Sequence, residues 1–279
     1  MRMSDLTTIQ RKIDLNYPTN RAIVLSALAV AVGGVILQLV LGEELLQGVS
    51  WGIAAGLAVF LAWALDRELD PDHDLSAFVA AGLALIGLLL FDSPSLLALF
   101  WMLVLLRILN RTFGLPARIL DSVLLLGLGS WLTWQGNWSY GLMTALAFFL
   151  DSRLSSPHRR HLFFAAVGLL VTVVLFGVSG SMPGEGKPSL LAILAVVGMS
   201  ILFVPAIVAS RQLSTVGDAT GEPLNPRRVQ AAQVMTLLTG IQMTLWEGDA
   251  GLDQLMPLWA AVLGVALYKL FSVIYGVRT

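Results

Sequence analysis

Cysteine is absent from the 279 residues. That removes disulfides, thiolate metal sites and cysteine nucleophiles together. Charge is scarce: Asp, Glu, Lys and Arg make up 13% of the chain, about half the share of an ordinary soluble domain. Acids and bases nearly cancel, at a net charge of −1, so the chain lacks the basic footprint of a nucleic-acid binder. No serine-nucleophile elbow, P-loop, dinucleotide fingerprint or zinc-hydrolase pattern occurs. Residues 1–20 are polar, with no hydrophobic stretch beside a small-residue cleavage site, so no removable signal peptide is expected.

What is abundant is apolar. Hydrophobic residues are 57% of the sequence and the mean hydropathy is +0.80. Such a chain has too few polar faces to cover soluble helices. The expected fold is all-α, a polytopic transmembrane helical bundle of about ten spans. The spans fall near 22–41, 47–65, 75–91, 95–109, 119–134, 138–151, 161–179, 189–209, 229–246 and 252–275. Several are shorter than the roughly 20 residues of a full crossing, so they must thin the bilayer or sit inside the bundle. Residues 1–20 form a polar lead and 21–279 a single transmembrane domain. Pro205 and Pro257 fall inside the eighth and tenth runs, where kinks are expected. The Ser/Thr/Gly/Pro-rich stretch 210–227 reads as a mobile connection.

Of the 17 lysines and arginines, this span count leaves Lys187 alone on one side. Such asymmetry predicts an inner-membrane protein with both termini cytoplasmic. Trp131, Trp134, Trp138 and Trp246 mark the opposite boundary as an aromatic belt. The order of matches also indicates parallel four-helix pseudo-repeats, about 47–134 and 138–246, with the final hairpin completed by 252–275. Leu65-Asp66 returns as Leu150-Asp151, Leu69 and His73 return as Leu154 and His158, and Pro94-Ser95-Leu96-Leu97-Ala98 returns as Pro188-Ser189-Leu190-Leu191-Ala192.

The polar residues concentrate in Leu65-Asp66-Arg67-Glu68-Leu69-Asp70-Pro71-Asp72-His73-Asp74. Asp66 and Asp70, four apart, share a helix face, and Pro71 ends the helix. Carboxylates at a helix carboxyl end meet the negative end of its dipole, so positive charge must compensate. Beside plain solvated loops with weak surface ion pairs, two further readings follow. Asp66, Asp70, Asp72 and Asp151 hold a cation or a phosphate-bearing lipid, or the acids clasp the basic loop through Arg153, His158, Arg159 and Arg160. A metal site of His73, His158 and His161 with Asp70 or Asp72 lacks tight ligand spacing.

The run Asp66-Arg67-Glu68-Leu69-Asp70 resembles the second half of the aspartate-rich motif of UbiA-type membrane prenyltransferases. The resemblance implies two cytoplasmic loops, after spans two and six, that bind Mg2+ and an isoprenyl diphosphate. This chain departs from that pattern. Ala62-Trp63 stands where the family has Asn-Asp, Ser155 stands where a second Asp is expected after Asp151, and ten spans replace nine.

Two polar features lie elsewhere. Asp121, three residues after Arg118, is expected at a helix entry, paired with Arg118 or Arg111. In the ninth run, Gln230, Gln233, Thr236, Thr239 and Gln242 recur every three residues. They form either a solvated path or, as the favoured reading, hydrogen bonds between helices. Gly52 and Gly56 carry the Gly-x-x-x-Gly spacing of close helix contact. Three functions stay open: an enzyme or binder acting on an isoprenoid or other phosphate lipid, a transporter with a midplane cavity, and a non-catalytic accessory subunit.

Overall fold

The computed structural model describes residues 7–9, 13–91, 93–179 and 186–275. Among them every regular element is a helix, with one isolated bridge, Val216 to Pro223, in a connection. The helices are α1 (Pro18–Val40), α2 (Leu45–Leu69), α3 (Ser76–Leu90), α4 (Leu96–Asn110), α5 (Ile119–Trp134), α6 (Ser139–Asp151), α7 (Arg160–Ser179), α8 (Leu190–Ala209), α9 (Pro226–Glu247), α10 (Asp249–Gln254) and α11 (Met256–Tyr275). Local chemistry sets their ends. Pro18 and Pro226 occupy first-turn positions, where a missing N–H costs little. The hydroxyls of Ser95 and Ser189 accept from the N–H groups of Ala98 and Ala192 at the starts of α4 and α8. Pro71 follows the end of α2, and Arg111 closes α4 in a left-handed conformation at φ 54°.

α1, α2, α7, α8 and α11 are long and apolar enough to cross a membrane, and α3 to α6 are shorter apolar helices. α4 lies at the centre, packed against α2, α5, α6 and α9. Its Trp101 is fully buried, edge-on to Tyr140 at 5.0 Å, and donates to Thr144 Oγ1 at 2.9 Å. α1 packs on α2 through small residues. A Cβ on Gly52 would stand 2.5 Å from the Ala31 carbonyl oxygen, and one on Gly56 would stand 2.6 Å from that of Ala27. The other faces of α1, α7 and α8 carry exposed Leu, Val, Ile and Phe side chains.

The side chains sort into two poles. One joins the carboxyl ends of α2, α4 and α6 to the amino ends of α5, α7 and α9, through Arg107–Glu68, Arg111–Asp151, His161–Asp151, Arg228–Asp151 and Ser122–His161. The start of α1 and the end of α11 belong to it, the latter through Lys269 and Asp70. At the other pole Asn137 donates to Glu247, Asp249 accepts from the Ser189 N–H, and Trp138 stacks edge-on against Trp246.

Two expectations need correction. The tenth apolar run is interrupted, and Pro257 lies in the first turn of α11, where it needs no kink; Pro205 does lie inside α8. The α8–α9 connection is anchored rather than loose. Its Asp218 and Ala219 N–H groups donate to the carbonyls of Thr112 and Phe113 at 3.1 and 3.0 Å, and its Ser214 and Thr215 N–H groups donate to Asp72.

Candidate functional site

Each acid of the 66–74 loop has its own partner. Asp66, near the end of α2, is fully buried, with Ser76 Oγ 2.6 Å from its Oδ1 and no partner for Oδ2. The same Ser76 oxygen lies 2.7 Å from the His73 carbonyl. A serine hydroxyl has one hydrogen, and neither a carboxylate nor a carbonyl can supply another. Both contacts are satisfied when Asp66 carries a hydrogen and donates it to Ser76. Asp70 faces His73 Nδ1 at 2.8 Å and Lys269 Nζ at 3.5 Å. Asp74 pairs with Arg67. Glu68 is fully buried and takes Arg107 Nε at 3.0 Å and the Thr112 hydroxyl at 3.0 Å.

Asp72 holds the far loop. It accepts from the backbone N–H groups of Ser214 and Thr215 and from the Thr215 hydroxyl. Partial burial pushes its carboxyl up, but the bond from the Thr215 hydroxyl, the two backbone N–H bonds and the adjacent His73 outweigh burial and hold it below the usual carboxylate range.

Asp151 has different company. Arg111 reaches it at 2.9 Å, Arg228 at 2.7 Å and His161 Nδ1 at 2.7 Å. All four side chains are buried. The guanidiniums are completed by carbonyls, Arg228 by Leu109 and Ser155 and Arg111 by Ser156. His161 Nε2 in turn meets the Ser122 hydroxyl at 2.9 Å. The expected clasp partners lie elsewhere. Arg153 sits over the Phe149 ring at 5.3 Å, Arg160 donates to the Ala117 carbonyl at 2.9 Å, and Arg159 is exposed. His158 packs edge-on to His161 at 4.8 Å. Burial, then the neighbouring His161 and Arg160, keep its imidazole below the ordinary histidine range.

The acids therefore do not converge. Asp66, Asp70 and Asp151 line neither of the two cavities described below, and among the described residues no three His, Asp or Glu side chains group as metal ligands. A magnesium–diphosphate site needs carboxylates turned to one ion. Here Asp151 is neutralised by two arginines and Asp70 by a lysine, so the residues do not fit that group.

Asp121 was expected to pair with an arginine side chain. Instead it accepts from the Thr8 N–H at 3.0 Å, from the hydroxyls of Thr7 and Thr8 and from the Arg118 N–H at 2.9 Å. It fastens residues 7–9 of the lead to the start of α5. The α9 stripe makes interhelical bonds: Gln230 to the Ile207 carbonyl at 2.8 Å, Gln233 to the Leu69 carbonyl and the Ser210 hydroxyl at 2.7 Å, and Gln242 to the Ser139 hydroxyl at 3.0 Å. Thr236 bonds back to the Ala232 carbonyl of its own helix.

The larger of the two cavities is a groove of about 1720 Å³ along α2 and α4. Leu57, Phe60, Leu61, Leu97, Phe100 and Leu103 form its apolar length. At the arginine-bearing pole Glu68, Arg107 and Asp72 line it, roofed by residues of the lead and by Thr215, Asp218 and Ala219. A smaller cavity of about 520 Å³ lies beside Arg111, His158 and Arg228. Sequence reasoning missed Glu68, Arg107, Arg111 and Arg228. The signal available was a carboxylate and arginines at the ends of apolar helices, where an unpaired charge would be costly. No family model, curated protein or solved structure matches this chain.

Proposed function

We propose that this is an integral membrane protein of about ten spans that binds an amphiphile in the α2–α4 groove, with the head group at the arginine-bearing, cytoplasmic pole and both termini on that side. The groove carries the reading. It joins an apolar length, Leu96 to Leu103 on α4 and Leu57 to Ala64 on α2, to a mouth of charged side chains. From Leu96 to Arg107 the wall runs about 16 Å at 1.5 Å per residue, long enough for much of one leaflet's hydrocarbon. The helices alternate between the two poles, which supports the span count, and among the described residues twelve of thirteen lysines and arginines, all but Lys187, at one pole support its cytoplasmic placement.

Two pairings support the pseudo-repeat. Asp66 meets Ser76 and Asp151 meets His161, each ten residues on, and Ser95 and Ser189 cap α4 and α8 at corresponding positions. The test is photo-crosslinking with a long-chain acyl amphiphile in vesicles, followed by peptide mapping. Label is expected on α2 and α4, and it should be lost in Leu57→Trp, which fills the groove from a half-exposed wall position. Label spread evenly over α1, α7 and α8, unchanged by that substitution, would overturn the proposal.

A further inference from the structure

The smaller cavity shares no lining residue with the groove. Three connections wall it: α4–α5 through Arg111, α6–α7 through Ser155 and Ser156, and α8–α9 through Thr220 and Glu222, with Arg228 added by the start of α9. Ser155, Ser156, Thr220 and Glu222 are exposed, so the cavity opens to water at the arginine-bearing pole. Its inner wall holds unbalanced positive charge. Arg111 and Arg228 are 9% and 3% exposed and share one buried carboxylate, Asp151. A buried charge without its own partner is costly. His161, the third partner of Asp151, can add only positive charge. Glu222, the acid that lines the cavity, stands at the exposed rim. On the same connections and the helix starts after them, Arg118, Arg153, Arg159, Arg160, Arg211 and Arg227 outnumber Asp121 and Asp218. α4 and α6 end beside the cavity and α7 and α9 begin there, so helix dipoles largely cancel. The side chains set the sign, and it is positive.

Hydrogen-bond capacity is left over on the same wall. Arg111 Nη1 carries two hydrogens and meets one acceptor, the Ser156 carbonyl at 3.0 Å. Beyond its bond to Ser155, Arg228 Nη2 reaches that carbonyl only at 3.5 Å. The hydroxyls of Ser155, Ser156 and Thr220 donate to no protein group among the described residues, and Thr220 Oγ1 accepts from the Glu222 N–H at 3.4 Å. Guanidinium and hydroxyl donors together suit a group with several acceptor oxygens, which a phosphate has. The backbone agrees. Among the described residues Arg111 and Ser156 are the two non-glycines with positive φ, at 54° and 55°. Both line this cavity, and such strain gathers where ligands are gripped.

We infer that this cavity is an oxyanion site that takes a phosphate group, carried by a soluble compound or by a lipid head. It stands whether or not the groove holds an amphiphile. The chemistry is recognition alone, and no bond is made or broken. A phosphate held there would tie the α8–α9 connection to the ends of α4 and α6.

The test is equilibrium dialysis of labelled inorganic phosphate against the purified full-length protein in dodecyl maltoside, at ionic strength held constant with chloride. A single saturable site is expected. Ser155→Trp fills the cavity from an exposed position, so it should abolish binding while the unfolding midpoint in sodium dodecyl sulfate is kept. Glu222→Gln removes the acid of the rim and should tighten binding about threefold at low salt, the worth of one exposed charge. Repeating the titration in nanodiscs separates the two sources. Phosphatidate that displaces labelled phosphate, where phosphatidylcholine does not, assigns the site to a lipid head; no displacement assigns it to a soluble phosphate. Binding that does not saturate, or that is the same in the parent, Ser155→Trp and Glu222→Gln, would overturn the inference.

Discussion

Asp151 balances two guanidiniums and an imidazole at once, so removing its carboxylate strands all of them in a buried site. Asp151→Ala should cost about 3–5 kcal/mol, read as a lower midpoint of unfolding in sodium dodecyl sulfate. Asp66 occupies the corresponding place ten residues before Ser76, with no cation within bonding distance among its contacts. An asparagine there can donate its amide hydrogen to Ser76 as the protonated carboxyl does, so Asp66→Asn should stay within about 1 kcal/mol of the parent in the same titration. A large loss would mean that Asp66 is held as a carboxylate. Asp72 titrates with the opposite logic. Its carboxyl is held down in the fold, so its contribution is present above the unfolded value, near 3.9, and is lost as pH falls through the lower folded value. Cleavage of loop 211–224 by an acid-tolerant protease should therefore stay flat from pH 8 to about 5 and rise only below about 4. Asp72→Ala should be cut faster throughout that range.

α1 depends on α2 more than on anything else in the molecule. Ile23 and Gly34 are the buried residues on its own face, and Gly52 and Gly56 supply the other side of the contact. A side chain at Gly52 would drive into the Ala31 carbonyl. Gly52→Leu should cost roughly 1–3 kcal/mol and should weaken cross-linking between cysteines placed on α1 and α2. That contact was legible from the Gly-x-x-x-Gly spacing, because close approach depends on side-chain size. So was the end of α2 at Pro71, since a proline cannot continue the ladder. The hydrogen bonds of Gln233 and Gln242 between helices were legible for a related reason: a buried amide in an apolar bundle needs partners. The break between α10 and α11 was not legible, because Gln254, Leu255 and Met256 carry no strong stop signal. Nor was the partner of Asp151. Arg111 and Arg228 stand 40 and 77 positions away, and sequence proximity instead favoured Arg153, Arg159 and Arg160. Which arginine closes a buried pair depends on how four helices meet, which no local pattern encodes. The α8–α9 connection looked loose by composition for the same reason, since its anchors lie on α2's exit and after α4.

The absence of cysteine makes the orientation of the whole molecule directly measurable. Single substitutions at the exposed Arg159 and Glu222 should react with a membrane-impermeant thiol reagent from the cytoplasmic side only. Substitutions at the exposed Glu43 and Lys187 should react from the opposite side only. Any mixed result within either pair would break the alternating span order. On the function proposed for the groove, this layout bears on ligand capture. Thr215 grips Asp72 and, with Asp218 and Ala219, forms part of the wall of the mouth, so one strap is both a seam of the protein and the rim of its cargo hold. On that reading, an occupant that touches Thr215 would tighten the seam. By reciprocity, a partner that pulls on the strap from the aqueous side would loosen the cargo, turning a stretch of loop into a release handle.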